Sequence, residues 1–428
     1  MNYFKQIYYE MKHQRMMTWV SISGTALAIF LMMAFYMQSN IGTAAIAPES
    51  ARDRILTGHN IDLKIGEGED ANTNSGGLSY ETAKLLYDNL DGVDNVTYTS
   101  SWAQAVNVGL RGKRAVNMNF RKTDTEFWNI FDFTFISGQP YNEADVEDGS
   151  KKVVVTKSVA RKIFGEEDVA GREVMIQHVP YTICGVVDDF PQHLASTGSD
   201  IFLPLDPQAR KDSWNDYLGS VQALLLMSEN ASKEDIQRQV KGRYDKINAS
   251  LKKEKKSITY HEQPYDTETV YRGGYGSNTS PDTSSRTGMM IAIYGVLLLL
   301  PAINLSSMTR SRLRHRISEI GVRRAFGASR HSIVSQLLGE NFIITAVGGI
   351  LGLLLSFLFM FFIRDLFFKV DNNSMLNEAF TPTMGMLFKW DVFLVAFIFC
   401  FVLNLMSAFV PAWRASRIEP SVAISKSK

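Results

Sequence analysis

The polar and apolar positions along this chain fall into long blocks, not into one even alternation. Four stretches carry no charged side chain: Trp19–Met37, Met289–Met308, Phe342–Ile363 and Val392–Val410. Each approaches or exceeds the ~20 apolar residues that a helix needs to cross a bilayer. Helix is the expected form, because an open strand would leave backbone polar groups unpaired in lipid. The first stretch also admits reading as a signal peptide, since Lys5, Lys12 and Arg15 precede it and Ala45-Ile46-Ala47 resembles a cleavage site. It is longer than the ~7–15 residues of a signal core, which favours a retained anchor.

Between the first two stretches the pattern turns polar and periodic. Ser79–Leu90 reads as a helix with Ser79 as N-cap and Tyr80, Ala83, Tyr87 and Leu90 along one face. Val96–Val108, Ala115–Phe120 and Lys152–Val155 read as strands, and Ser158–Phe164 as a helix stopped by Gly165. Glu173–Gln177 and Tyr181–Val187 flank His178-Val179-Pro180 as a hairpin, Lys233–Leu251 reads as a helix, and the Gly- and Ser-rich residues 273–286 as a flexible lead into the second apolar stretch. The expected fold class is α+β: a four-helix transmembrane bundle with a large extracytoplasmic α+β domain, in one or two lobes, inserted between helices 1 and 2.

Charge sets the expected orientation. The average composition conceals it, with 45% hydrophobic residues and a net charge of +1 over 428 residues. Residues 1–15 hold three cations, residues 310–330 hold seven arginines against Glu319, and the tail holds Arg414, Arg417, Lys426 and Lys428 against Glu419. If all four helices span, these three segments share one side, and all are basic, as the positive-inside rule requires of the cytoplasmic side. Residues 40–286 hold 28 Lys plus Arg against 36 Asp plus Glu, a net charge of −8, and fall on the opposite side. The expected layout is a cytoplasmic N-terminus (1–15), helix 1 (16–38), extracytoplasmic domain (39–286), helix 2 (287–309), cytoplasmic segment (310–332), helix 3 (333–363), a short outer loop (364–389), helix 4 (390–411) and a cytoplasmic tail (412–428).

Little in the chain suggests catalysis. The spacing from Gly321 to Gly327 lacks the Lys of a phosphate-binding loop, so ATP binding and hydrolysis by this chain are not expected, and it reads as no enzyme on its own. Cys184 and Cys400 fall in different blocks and form neither a disulfide framework nor a metal site. His315 and Glu319 are four apart on a predicted helix, a spacing more typical of a surface contact than of a metal site. Asp188-Asp189 and Glu166-Glu167-Asp168 read as solvated turns. No catalytic, cofactor or metal residue is assigned, and no nucleic-acid partner is implied. Within the apolar stretches, Pro301 and Asn304 interrupt helix 2, Asn404 is polar in helix 4, and Gly348 and Gly352 have the spacing for close helix packing.

Positive-inside charge accounts for the arginines of the cytoplasmic segment. It leaves unexplained the run Glu319-Ile320-Gly321-Val322-Arg323-Arg324-Ala325-Phe326-Gly327-Ala328-Ser329, in which Gly327 fits a helix stop and Ser329 a cap for a helix starting near His331. This run resembles the signature of the MacB/FtsX-like permeases of ABC transporters, a family that includes the lipoprotein-releasing permeases. The tail Pro411-Ala412-Trp413-Arg414-Ala415-Ser416-Arg417-Ile418-Glu419-Pro420 is similar to the family's ending. Val153-Val154-Val155 with Ala160–Gly165, Gly171 and Tyr181–Pro191 resembles its periplasmic domain.

The resemblance implies a dimer of permeases, homo or hetero, above a separate ABC ATPase that holds ATP and Mg. It implies that Arg316, Glu319, Ile320, Gly321, Arg323, Arg324, Gly327, Ala328 and Ser329 couple to that ATPase, and that ATP-driven motion reaches the periplasmic domain. Membrane lipid, a periplasmic adaptor and an outer-membrane channel are further partners within reach. Peptides, toxins, drugs and lipoproteins are the implied substrates, and the inner membrane of a Gram-negative bacterium is the implied location. The residues also leave open a regulatory scaffold that activates a cell-wall hydrolase, and a membrane sensor.

Overall fold

The computed structural model describes residues 15–41, 45–66, 71–190, 194, 196–211, 213–273, 283–285, 287–297, 299, 322, 325–368 and isolated positions between 393 and 413. The chain divides into two compact units: Met1–Ile41 with Thr287–Arg364 and Thr383–Lys428, and Gly42–Arg286 with Asp365–Pro382.

In the first unit the long elements are the helices Arg15–Ile41 and Arg330–Phe368. Thr18–Tyr36 and His331–Phe359 within them are long and apolar enough to cross a membrane. At ~1.5 Å per residue the second helix runs about 58 Å, well beyond the ~30 Å hydrocarbon thickness. It starts twelve residues before the apolar stretch Phe342–Ile363 because Glu340 and Asn341 interrupt the apolar run without interrupting the helix. Residues 287–297 and Leu299 are helical, and the rest of the second apolar stretch, with Pro301 and Asn304, lies outside the described residues, as does Asn404.

The second unit is α+β, built on one connected set of strands. Its first half is antiparallel: Lys256–Thr259 pairs with Ile61–Ile65, which pairs with Asn72–Leu78, and Val221–Met227 pairs with Val93–Ser100. The helices Tyr80–Tyr87 and Lys233–Leu251 pack with these strands around Leu78, Leu86, Tyr87, Leu225, Val240 and Tyr244. Ser79 does cap its helix, accepting from the Thr82 N–H at 3.2 Å. The second half contains two parallel pairings, Lys152–Thr156 with Val179–Val187 and Val116–Thr123 with Ile201–Pro204. Its core gathers Val108, Met118, Val153, Val155, Ile183 and Ile201 beneath the helix Lys157–Phe164. That helix ends at Gly165 with a φ of 82°, the left-handed turn the sequence predicts there. A third, aromatic cluster joins Phe127, Phe131, Phe133, Phe190 and Phe202.

Three local expectations need correction. The predicted strand Val96–Val108 is two strands, Val93–Ser100 and Gln104–Gly109, because the chain changes partner between them, from Val221–Met227 to Val116–Thr123. The hairpin turns at Gln177 and His178, both at positive φ, so Val179 and Pro180 belong to the second strand. Of Asp188-Asp189, read as a solvated turn, Asp188 is exposed but Asp189 is half-buried and engaged. Asp189 accepts from the Ser158 N–H at 2.9 Å and its hydroxyl at 2.7 Å, capping the Lys157–Phe164 helix from just beyond the strand Val179–Val187, and Lys157 pairs with Asp188 at 3.1 Å. In the acidic run, Glu166 and Glu167 likewise pair with Arg172 and Arg161, and Asp168 accepts from Ser137.

Candidate membrane-coupling site

Of the predicted coupling residues, Arg316, Glu319, Ile320, Gly321, Arg323 and Arg324 lie outside the described residues; Gly327, Ala328 and Ser329 form a defined turn. The Phe326 N–H donates to the Val322 carbonyl at 3.1 Å, closing a last helical turn. Gly327 follows at φ 94°, a conformation that a side chain would strain. The Ser329 hydroxyl then accepts from the Ser332 N–H at 3.2 Å and caps the helix that starts at Arg330. Phe326 is 88% exposed beside the turn.

The capped helix leads to the predicted packing glycines. A Cβ on Gly348 would lie 2.8 Å from the Thr25 Cβ and 3.0 Å from the Ile22 carbonyl oxygen. One on Gly352 would lie 2.5 Å from the Ala26 oxygen and 3.0 Å from the Ile29 Cβ. Higher up, the Ser356 hydroxyl reaches the Phe30 carbonyl at 3.4 Å, and the rings of Phe30 and Phe359 meet edge to face at 5.1 Å. Contacts therefore advance together along both helices: Arg15–Ile41 and Arg330–Phe368 run parallel, at backbone distances that only glycine allows.

In the other unit, the segment that follows the first helix is locked in place by groups that no local spacing reveals. Glu49 and Arg52 are 1% and 2% exposed, and Arg52 Nε lies 3.1 Å from Glu49 Oε2. The other carboxylate oxygen accepts from the Ser196 N–H at 3.1 Å and from the Thr197 N–H and hydroxyl, both at 3.0 Å. The Thr267 hydroxyl donates to the Arg52 carbonyl at 3.1 Å. Just beyond, Leu56 and Thr57 pair antiparallel with Asp266 and Tyr265. The chain entering the unit and the chain leaving it are thus bound to each other. Sequence reasoning missed Glu49 and Arg52, whose partners lie some 145 to 215 residues away; an acid and a base three apart next to a turn carry no distinguishing signal.

Nearby, burial and then the Arg121 charge hold the His59 imidazole down at about 4, so it is neutral at physiological pH. Burial raises Asp124 and Asp200 to about 6 against the hydrogen bonds that favour their charged forms. Among the described residues no cluster of His, Cys, Asp and Glu could hold a metal ion.

The geometry thus comprises a capped turn, a close parallel helix pair and an α+β unit on the adjoining chain. The model of the MacB-like periplasmic core domain matches residues 18–243, and that of the FtsX-like permease C-terminal domain matches residues 291–420. The chain belongs to the MacB/FtsX-like family of ABC transporter permeases. It is a membrane protein with a periplasmic α+β domain. Relatives of this MacB/FtsX-like chain include the macrolide export ATP-binding/permease protein MacB of Pasteurella multocida, 26% identical over 73% of this chain and 44% of the relative. The pyoverdine export ATP-binding/permease protein PvdT of Pseudomonas syringae is 23% identical over 75% and 45%. The chain spans less than half the length of these curated relatives. Solved structures similar to it include a permease domain from Porphyromonas gingivalis (19% identity, TM-score 0.39, covering 50% of this chain and 92% of that one). Another is the periplasmic region of MacB from Actinobacillus actinomycetemcomitans (16% identity, TM-score 0.33, 47% and 88%).

Proposed function

We propose that this chain is the permease subunit of an ABC exporter, and that it transmits the motion of a separate ATPase to its periplasmic domain. Four helices span the inner membrane, both termini and residues 310–330 are cytoplasmic, and two permease chains form the working dimer. Peptides, toxins, drugs and lipoproteins are the substrate classes in reach, by analogy with relatives whose names specify macrolide or pyoverdine export.

The observation that carries this reading is the parallel packing of helices Arg15–Ile41 and Arg330–Phe368 through Gly348 and Gly352. Parallel spanning helices begin on the same side. Residues 1–15 and the Arg-rich segment before Ser329 therefore share a side, which agrees with their common positive charge. A push on the turn at Gly327–Ser329 enters a helix whose glycines are seated against the first helix. The Glu49–Arg52 pair then fixes the chain beyond that first helix to the outgoing Thr267 segment. These links offer a route from the cytoplasmic turn to the domain.

At the ATPase, Glu319 supplies a charge-assisted hydrogen bond of about 1.5–3 kcal/mol, Ile320 an apolar anchor of roughly 1.5–3 kcal/mol when fully covered, and Gly321 room for a partner backbone. Co-purification and ATPase assays on Glu319→Lys and Gly321→Trp test the reading. Both variants should insert and dimerise yet lose ATPase stimulation. If Glu319→Lys keeps its partner and full stimulation, the segment is a basic surface helix held by anionic lipid, and the proposal fails.

A further inference from the structure

Between His331 and Phe359, the apolar span of helix Arg330–Phe368, Glu340 is the single Asp, Glu, Lys or Arg. It is 7% exposed, whereas Phe342, Ile350, Leu354, Leu358 and Phe362 of the same helix are 47–75% exposed. The helix thus turns its acid inward and its large apolar side chains outward. A carboxylate taken out of water is costly unless other groups compensate it, and Glu340 is engaged. Buried charges contribute little stability that well-packed apolar side chains could not supply, and their best-attested use is to fix register or to switch. Acids within spanning helices mark function for the same reason.

The two parallel helices keep step: Gly348 meets Ile22, Gly352 meets Ala26 and Ser356 meets Phe30, four residues apart on each. Two of these three contacts are glycines. They bring the backbones close, but have no side chain that would oppose rolling. Toward the coupling turn the buried positions become polar, with Thr345 and Glu340 on one helix and Thr25, Ser21 and Thr18 on the other. The Thr345 hydroxyl donates to the Asn341 carbonyl at 2.8 Å and the Thr25 hydroxyl to the Ser21 carbonyl at 3.0 Å, so both protons are committed within their own helices. Glu340 lies eleven residues beyond the Ser329 cap and eight before Gly348, about 16 and 12 Å along the helix axis.

We propose that Glu340 is a positioning residue that sets the rotational register of this helix. Its charge, held in the interior of the bundle, stops the helix from rolling on its glycines, so that a displacement of the Gly327–Ser329 turn moves the helix as a unit. The register claim stands on the burial of Glu340; its consequence for the ATPase rests on the coupling reading above.

The experiment is oxidative cross-linking of the full chain in membranes, in a background lacking Cys184 and Cys400. Phe30→Cys should cross-link with Phe359→Cys, whose ring it meets at 5.1 Å, in preference to Leu358→Cys, which faces outward at 53% exposure. Glu340→Gln, isosteric and uncharged, should lower that preference about fivefold or more, while Glu340→Asp, which keeps the charge, should retain most of it. ATPase stimulation should fall with the preference, and co-purification of the ATPase should not. An unchanged preference in Glu340→Gln, or Glu340→Asp behaving like Glu340→Gln, would overturn the register role. So would a Glu340→Gln chain that no longer inserts while Glu340→Asp inserts and cross-links as the wild type does, since the charge would then serve folding. A lost preference with full stimulation would overturn its part in coupling. A wild-type chain that stimulates no ATPase would instead sink the coupling reading, and the cross-links would still decide the register.

Discussion

Arg52 and Glu49 are so completely removed from water that each charge depends on the other. Removing one partner of such a pair leaves a buried, uncompensated charge and costs about 3–5 kcal/mol. Arg52→Leu should therefore lower the thermal unfolding midpoint of the domain sharply, followed by tryptophan fluorescence of the purified chain. Adding Glu49→Gln should restore much of the loss, because the amide oxygen still accepts from Ser196 and Thr197 while the stranded charge is gone. An equally unstable double variant would show that the pair is not what holds this corner. His59 allows a test by pH. Its pKa is near 4 in the fold and about 6.5 in the unfolded chain, so between those values the unfolded state binds more protons and stability falls as pH drops. Asp124 and Asp200, raised to about 6, act in the opposite sense over roughly the same window, taking up protons in the fold first and returning stability as pH falls. His59→Gln removes only the first contribution. Between pH 6.5 and 5 the variant should lose about 2 kcal/mol less than the wild type; identical pH slopes would mean that His59 protonates freely in the fold.

At the scale of elements, helix pairing depends on two hydrogens. Gly352→Leu would drive a side chain into the Ala26 carbonyl, and such overpacking costs about 1–3 kcal/mol. With Phe30→Cys and Phe359→Cys in a background lacking Cys184 and Cys400, oxidation should cross-link the parallel helices, and Gly352→Leu should suppress the product. Undiminished cross-linking would show that the helices meet elsewhere. What the sequence revealed at this scale follows from locality. Ser79 and Gly165 are read correctly because a cap and a left-handed stop involve neighbours within four residues. Lys233–Leu251 is read to the residue because its buried face, Ile236, Val240, Tyr244, Ile247 and Leu251, keeps helical spacing. The strand Val96–Val108 is misread because alternation persists through a change of partner, and partners are not written in the strand itself. Asp189 is misread for the same reason: it caps a helix 31 residues earlier in the chain. The helix stop at Gly327 and the cap at Ser329 were legible, whereas the Glu49 clasp exists only once distant segments meet.

At the scale of the molecule, close contacts fall within each unit: the capped turn and parallel helices in one, the paired entry and exit strands in the other. On the proposed topology the basic residues 1–15, 310–330 and the tail lie in the cytoplasm, opposite the MacB-like periplasmic domain. The proposed transmission from ATPase to periplasmic domain can be tested directly. Spin labels on Ser75→Cys, an intermediate-exposure position on the strand Asn72–Leu78, report the distance between the two periplasmic domains of a dimer. Measured by pulsed electron resonance with the ATPase bound, that distance should shift between nucleotide-free and ATP-trapped states, and Glu319→Lys should abolish the shift. A distance indifferent to ATP in the wild type, or a shift that survives Glu319→Lys, would contradict transmission through the coupling segment.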